Sequence, residues 1–186
     1  MKPIVGITNA TGMAYAVHLL EEFNKRNAKT RLIMSRDAES TLLRETNKTL
    51  AAVKQLVSHF YFADEQMTPE VMETADSMVI VPCSVEAIAA MVQSPPQNSL
   101  QNAAAFTLES KKKLILVTSE PRLGIKQLEV LLHMAHKGAV IMPYMPSFYH
   151  RPATINDIVA HHTGRIFDLL DIEHNMVKRW GTNGTN

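Results

Sequence analysis

The chain of 186 residues has one cysteine, Cys83, which excludes an intramolecular disulfide and any zinc site built on several thiolates. No apolar run approaches the ~18 residues that a membrane-crossing helix needs, so no span is expected. The amino terminus lacks the basic start and unbroken apolar stretch of a signal peptide. With the lone thiol, this leads us to expect a cytoplasmic protein, in which the Asn-x-Thr triplets at Asn9, Asn47 and Asn183 are accidental. Neither sign of charge is in excess: 19 Lys and Arg against 18 Asp and Glu leave +1, no general field to hold nucleic acid or an anionic membrane surface. What is present is 46% hydrophobic and 20% charged residues, the balance of a globular chain of about one domain. We expect a single α/β domain over 1–175 and a polar tail over 176–186.

The order of elements is read from where apolar residues recur. Pro3 to Thr8 is a β-rich run that ends in Asn9-Ala10-Thr11-Gly12 and passes into helical spacing at Tyr15, Val17, Leu19, Leu20 and Phe23. A second cycle follows, with Thr30–Met34 as strand, Ser35 as N-cap and Asp37–Thr46 as helix. Ser77–Val81 reads as a strand cut by Pro82, and Val85–Val92 as helix. Leu114–Thr118, Ile125–His136, Ala139–Met142 and Ile155–Leu170 continue as strand, helix, strand and helix. Strands that are apolar throughout and separated by helices belong in a parallel sheet covered on both faces. The segments 94–98 and 143–152 are rich in proline and interrupt the rhythm as ordered loops. The second follows a strand, where open α/β sheets bind ligands, and carries Tyr144, Tyr149, His150 and Arg151.

Several groups of residues carry candidate chemistry. Gly6-Ile7-Thr8-Asn9-Ala10-Thr11-Gly12 leads into a helix N-terminus, whose free N–H groups suit a phosphate or another polar group of a nucleotide; the same residues also suit an ordinary strand-to-helix turn. Cys83 stands at the equivalent place after a later strand, without an identifiable partner, and reads as a small buried hydrophobe. Ser84 beside it suits both a helix cap and a ligand hydroxyl. His133 and His136, and His161 and His162, lack a third ligand at metal-binding spacing, and adjacent helical residues point apart, so no metal is expected. Lys111-Lys112-Lys113 reads first as solvated surface.

Six segments in order resemble the flavin prenyltransferase family of the UbiX type, over about residues 3–171. They are Gly-Ile-Thr-Asn-Ala-Thr-Gly at 6–12, Met-Ser at 34–35, Leu-Arg-Glu-Thr at 43–46, Val-Pro-Cys-Ser at 81–84, Gly-Ala-Val-Ile-Met-Pro at 138–143 and Phe-Tyr-His-Arg-Pro at 148–152. The resemblance implies a flavodoxin-like Rossmann three-layer sandwich and a homo-oligomer with the flavin site between subunits. It implies FMN and dimethylallyl phosphate as ligands, and prenylated FMN as a product passed to a partner decarboxylase. Residue by residue it places Thr8, Asn9, Ala10, Thr11, Ser35 and Ser84 at FMN, and Glu45 and Glu120 among the catalytic groups. Tyr149 and Arg165 fall on the residues that hold the prenyl phosphate.

The chain also departs from that pattern. Asn102 and Ser119 stand where the family has arginines, and Glu109 where it has a lysine. Thr68–Asp76 reads as a charged helix in place of the family's Ser-Gly-Ser-rich loop. Arg122 and Lys111, each two residues from a lost cation, are the candidate replacements in the phosphate clamp. The alternative is therefore a divergent paralogue that binds FMN, prenylated FMN or another planar ligand without prenylating it.

Overall fold

The computed structural model of the chain describes residues 1–92 and 95–177. Six parallel strands form one sheet: β1 (Ile4–Ile7), β2 (Arg31–Met34), β3 (His59–Phe62), β4 (Ser77–Cys83), β5 (Lys113–Thr118) and β6 (Val140–Pro143). Their order is β3-β2-β1-β4-β5-β6. Gly6 lies opposite Ile33 on one side and Ile80 on the other.

Alternation along each strand divides the core in two, because successive side chains leave opposite faces of a sheet. Val5, Ile7, Val79, Val81, Ile115 and Val117 pack on one face. Ile4, Met78, Ile80, Leu114 and Leu116 pack on the other. The first face is covered by α1 (Met13–Lys25), α2 (Ala38–Thr46) and α8 (Ile155–Leu169). Helix α1 turns Met13, Ala16, Val17, Leu20 and Phe23 inward at the spacing of one helical face. Phe23 meets Phe167 of α8 with ring centroids 5.2 Å apart. Between α2 and β3 lies the short α3 (Leu50–Lys54). The second face is covered by α4 (Pro69–Glu73), α5 (Val85–Val92), α6 (Ser99–Glu109) and α7 (Ile125–His136). Helix α8 starts with a reciprocal cap, in which Asp157 N donates to Thr154 Oγ1 at 3.2 Å and Thr154 N to the Asp157 carboxylate at 2.8 Å.

This is the parallel α/β architecture expected from the alternating pattern, in the flavodoxin-like Rossmann three-layer form that the resemblance implied. The details correct that reading in three places. Pro82 does not end β4, which continues to Cys83 through a cis Val81–Pro82 peptide with a register shift after Ile80. Ser35 is not the N-cap of α2; Asp37 holds that position without a side-chain bond, and Ser35 N donates to Ile7 O at 2.9 Å. Strand β3 was not anticipated, since His-Phe-Tyr-Phe is a half-exposed edge strand without the continuous aliphatic run of its neighbours. The expected tail falls mostly on 178–186, and Ser94 of the first proline-rich loop also lies outside the described residues. No helix among the described residues is long and apolar enough to cross a membrane.

Phe23 is fully buried in the α1–α8 contact. Phe23→Ala should lower unfolding stability by about 3–5 kcal/mol, read as a fall in the urea midpoint at unchanged slope.

Candidate functional site

The connection from β1 leaves to one face of the sheet and that from β4 to the other, so the carboxyl ends of this adjacent pair flank the crevice where doubly wound sheets bind ligands. Thr8 closes the base of this crevice. Its backbone N and its Oγ1 both donate to Pro82 O at 3.1 Å, and Oγ1 accepts from Ser84 N at 2.9 Å. Ser84 in turn caps α5, accepting from Ala87 N at 3.2 Å. On the outer side Asn9 Oδ1 accepts from Thr41 Oγ1 of α2 at 2.8 Å. Ala10 is half-buried and Thr11 exposed on the same turn, and Ser35 lies at the end of the neighbouring β2. The six residues assigned to the flavin are thus gathered at three adjacent strand ends.

Two carboxylates rest on the helix N-termini that border this crevice. Glu45 Oε2 accepts from Gly12 N at 2.9 Å and Met13 N at 2.8 Å, at the start of α1. Glu120 Oε1 accepts from Val85 N at 2.6 Å, at the start of α5, while its Oε2 is buried without a partner. Both placements suit the positive end of a helix. Cys83 is fully buried, and burial, reinforced by Glu120, pushes its thiol pKa far up, which removes it as a nucleophile.

Sequence reasoning missed the aromatic group above the turn. Tyr144 N donates to Thr118 O at 3.0 Å, which brings loop 143–152 back over the strand ends. The Tyr144 ring stacks on Tyr15 at 4.5 Å and lies against Gly12. Its buried hydroxyl has no partner, and burial raises its pKa strongly. His162 packs beside both rings, and burial drives its pKa down to about 4. The signal available in the sequence was the density of aromatic residues in that loop, but residues so distant along the chain show no contact before folding.

Tyr149 and Arg165 come together in a cleft of about 680 Å³, joined there by His161, Ser147 and Asp168. Tyr149 Oη lies 3.0 Å from His161 Nε2, and Arg165 Nη1 donates to Asp168 Oδ2 at 2.9 Å. Arg122 is exposed in the connection from β5 to α7, on the carboxyl edge of the sheet. Lys111 is on the opposite edge, ahead of β5, where it lines a cavity with Met1, Pro3 and Asp76. The structure therefore separates Lys111 from the turn of its own chain by the length of the sheet. Helix α6 begins at the carboxyl edge, with Ser99 N donating to Ala63 O at 2.9 Å, and spans about 16 Å, so Glu109 at its end also faces the amino edge. Asn102 is exposed on the first half of α6, and Ser119 adjoins Glu120. Among the described residues no group of three or more His, Cys, Asp or Glu is placed to hold a metal ion.

Comparison with known proteins decides the family. The Flavoprotein family model matches residues 1–171. The flavin prenyltransferase UbiX of Methanocaldococcus jannaschii is 34% identical over 184 residues, covering 98% of this chain and all of that protein. The chain belongs to the UbiX-type flavin prenyltransferase family. Among solved structures, AnUbiX (PadA1) in complex with FMN and dimethylallyl pyrophosphate superposes with a TM-score of 0.92 at 30% identity, covering 100% of this chain and 98% of that one. A dodecameric FMN-dependent UbiX-like decarboxylase from Escherichia coli O157:H7 gives 0.89 at 32% identity, covering 97% and 99%.

Two outcomes follow from this geometry. Gly12 has φ +112°, and a Cβ there would stand 2.5 Å from the Tyr144 ring. Gly12→Ala should cost about 1–3 kcal/mol, and the cost should shrink but not vanish in a Tyr144→Ala background, since only the steric part is relieved; a double-mutant cycle in urea measures this. His162 is held neutral with its folded pKa below its unfolded one, so its contribution is complete above about pH 6.5 and is lost as pH falls towards 4. His162→Phe should flatten that part of the stability–pH curve, by on the order of 2–3 kcal/mol at pH 4.

Proposed function

We propose that the chain is a flavin prenyltransferase, which binds FMN at the β1–β4 crevice and moves a dimethylallyl group from dimethylallyl phosphate onto the reduced flavin. The observation that carries this reading is the pairing of Tyr149 and Arg165 in one cleft, a phenol and a guanidinium suited to phosphate oxygens, on a chain of this family. The orphaned atoms of the crevice fit a flavin as well. Buried Glu120 Oε2 needs a donor and buried Tyr144 Oη an acceptor, and the pyrimidine ring of a flavin offers an N–H flanked by carbonyls. Thr8, Asn9, Ala10, Thr11, Ser35 and Ser84 would hold FMN along the strand ends. What bound, reduced FMN supplies is the N5 and C6 atoms that family members alkylate.

The residues' own work is mainly electrostatic. The allylic phosphate is the leaving group, so Arg165 and Tyr149 assist the reaction by holding charge that grows as the C–O bond breaks. Glu45 and Glu120 keep the two helix N-termini in place around the reacting atoms. Glu109 and Lys111 lie at the amino edge, so either meets a prenyl phosphate only when contributed to another copy of the chain. This supports a homo-oligomer with the site at the subunit interface. A prenylated-FMN-dependent decarboxylase is the proposed recipient of the product, and the cytoplasm the proposed location. The unit that does this is the single domain over 1–175.

A second reading, a flavin-binding paralogue that does not prenylate, is favoured by Asn102, Glu109 and Ser119, where three cations are missing and one has become an anion. A unit charge pair at about 4 Å is worth roughly 4 kcal/mol at an effective dielectric near 20, so such losses weaken phosphate binding strongly. The two readings separate in one assay. Incubation with reduced FMN and dimethylallyl phosphate should yield prenylated FMN, detected by mass, and Arg165→Ala should slow it at least about tenfold. Absence of product in the natural protein, with turnover gained by Asn102→Arg, Glu109→Lys and Ser119→Arg together, would establish the second.

A further inference from the structure

The cleft that holds Tyr149 and Arg165 is short of permanent positive charge. Arg165 is already paired with Asp168, which also accepts from His174 Nε2 at 3.0 Å. Asp171 and Glu173 line the same cleft, the former bonded to Lys113. An anionic ester entering there meets one guanidinium and several carboxylates. The remaining groups able to become cationic are imidazoles. His161 is 5% exposed on α8, lines the cleft and is hydrogen-bonded to Tyr149. His150 lies parallel on it, with ring centroids 4.3 Å apart and planes within 4°, and both His150 nitrogens are buried without partners.

We propose that the stacked His150–His161 pair is an anion-binding element of this cleft that takes up one proton when the phosphate of the prenyl donor enters. The inference rests on the reading of the cleft as the prenyl phosphate site. One proton is the stoichiometry because two imidazolium rings at stacking distance repel. The proton comes from solvent and is shared with no covalent step. It also changes the polarity of the contact to Tyr149. A bare Nε2 accepts the phenol hydrogen; once both nitrogens carry hydrogens, Nε2 donates to the phenol oxygen, and the phenol hydrogen can then be given to an oxygen of the ester.

The surroundings set the direction of the response. Burial, His150 and Arg165 hold the His161 pKa below its usual value, while Asp168 opposes them. Loop 143–152 contributes Tyr149 and His150, α8 contributes Arg165, Asp168 and Asp157 near His150, and the segment after α8 contributes Asp171, Glu173 and His174. A bound anion adds an opposite charge and raises the pKa of the pair. By linkage the anion must bind more tightly as pH falls towards the pKa of the free protein.

Isopentyl sulfate tests this, because a sulfate monoester keeps one negative charge through the range, whereas a phosphate ester titrates itself. With FMN present, calorimetry on the full chain should show binding about tenfold tighter at pH 5.5 than at pH 8.0, the scale of one charge-assisted hydrogen bond. The double change His150→Gln, His161→Gln keeps a hydrogen-bond partner for Tyr149 but removes both imidazoles, and its affinity should change less than about twofold between pH 8.0 and pH 5.5. Histidine NMR should show the His161 pKa rising on saturation with isopentyl sulfate. Binding that is independent of pH, or a pH dependence retained in the double variant, overturns the inference and leaves the phosphate-site reading intact. If neither isopentyl sulfate nor isopentyl phosphate binds at any pH, both fall.

Discussion

The site depends on one hydroxyl. Thr8 Oγ1 donates to Pro82 O and accepts from Ser84 N, and so ties the end of β1 to the end of β4 where the sheet changes winding direction. In a parallel sheet these two strand ends have no turn between them; the chain reaches from one to the other through six further elements of helix and strand. Without the hydroxyl the loops that follow them would be positioned only by the Thr8 N–Pro82 O bond and the packing of α1 and α5. With it, the turn over 8–12, the Ser84 cap and the carboxylate of Glu120 on α5 share a common anchor. Gly6, two residues before Thr8, leaves room for α6, since a Cβ there would stand 2.6 Å from Leu100.

Much of this was readable before folding was considered. The aliphatic strands announced themselves because burial on both faces demands continuous apolar runs, and the Gly6–Gly12 and Val81–Ser84 segments marked the strand ends that form the crevice. Edge strand β3 was not readable, because its half-exposed aromatic residues follow neither pattern. The role of Ser35 at a strand end instead of a cap was equally hidden, since serine satisfies both descriptions. The partners of the side chains were least legible of all. That Glu45 bonds to Gly12, that Tyr144 stacks on Tyr15, and that adjacent His161 and His162 enter separate environments are facts of tertiary packing between residues 12 to 147 positions apart.

The two edges of the sheet hold Glu109 apart from Ser119, two of the positions at which the chain departs from its family. Residues two apart in sequence, such as Glu109 and Lys111, stay near each other, but Ser119 and Glu120 at the far end of β5 are a strand's length away. A phosphate cannot contact both groups of one chain.

The carboxylate of Glu45 has a further effect on how α1 receives a ligand. Its oxygen already satisfies Gly12 N and Met13 N, so those donors are not waiting in deficit. A phosphate that settled on them would be exchanging one acceptor for another, and the free energy released would be only the difference between the two. Such a helix terminus gives little raw affinity. Toward an anion it would act instead as a comparator, favouring one by how much more charge and how much better angles it brought than the Glu45 carboxylate already there.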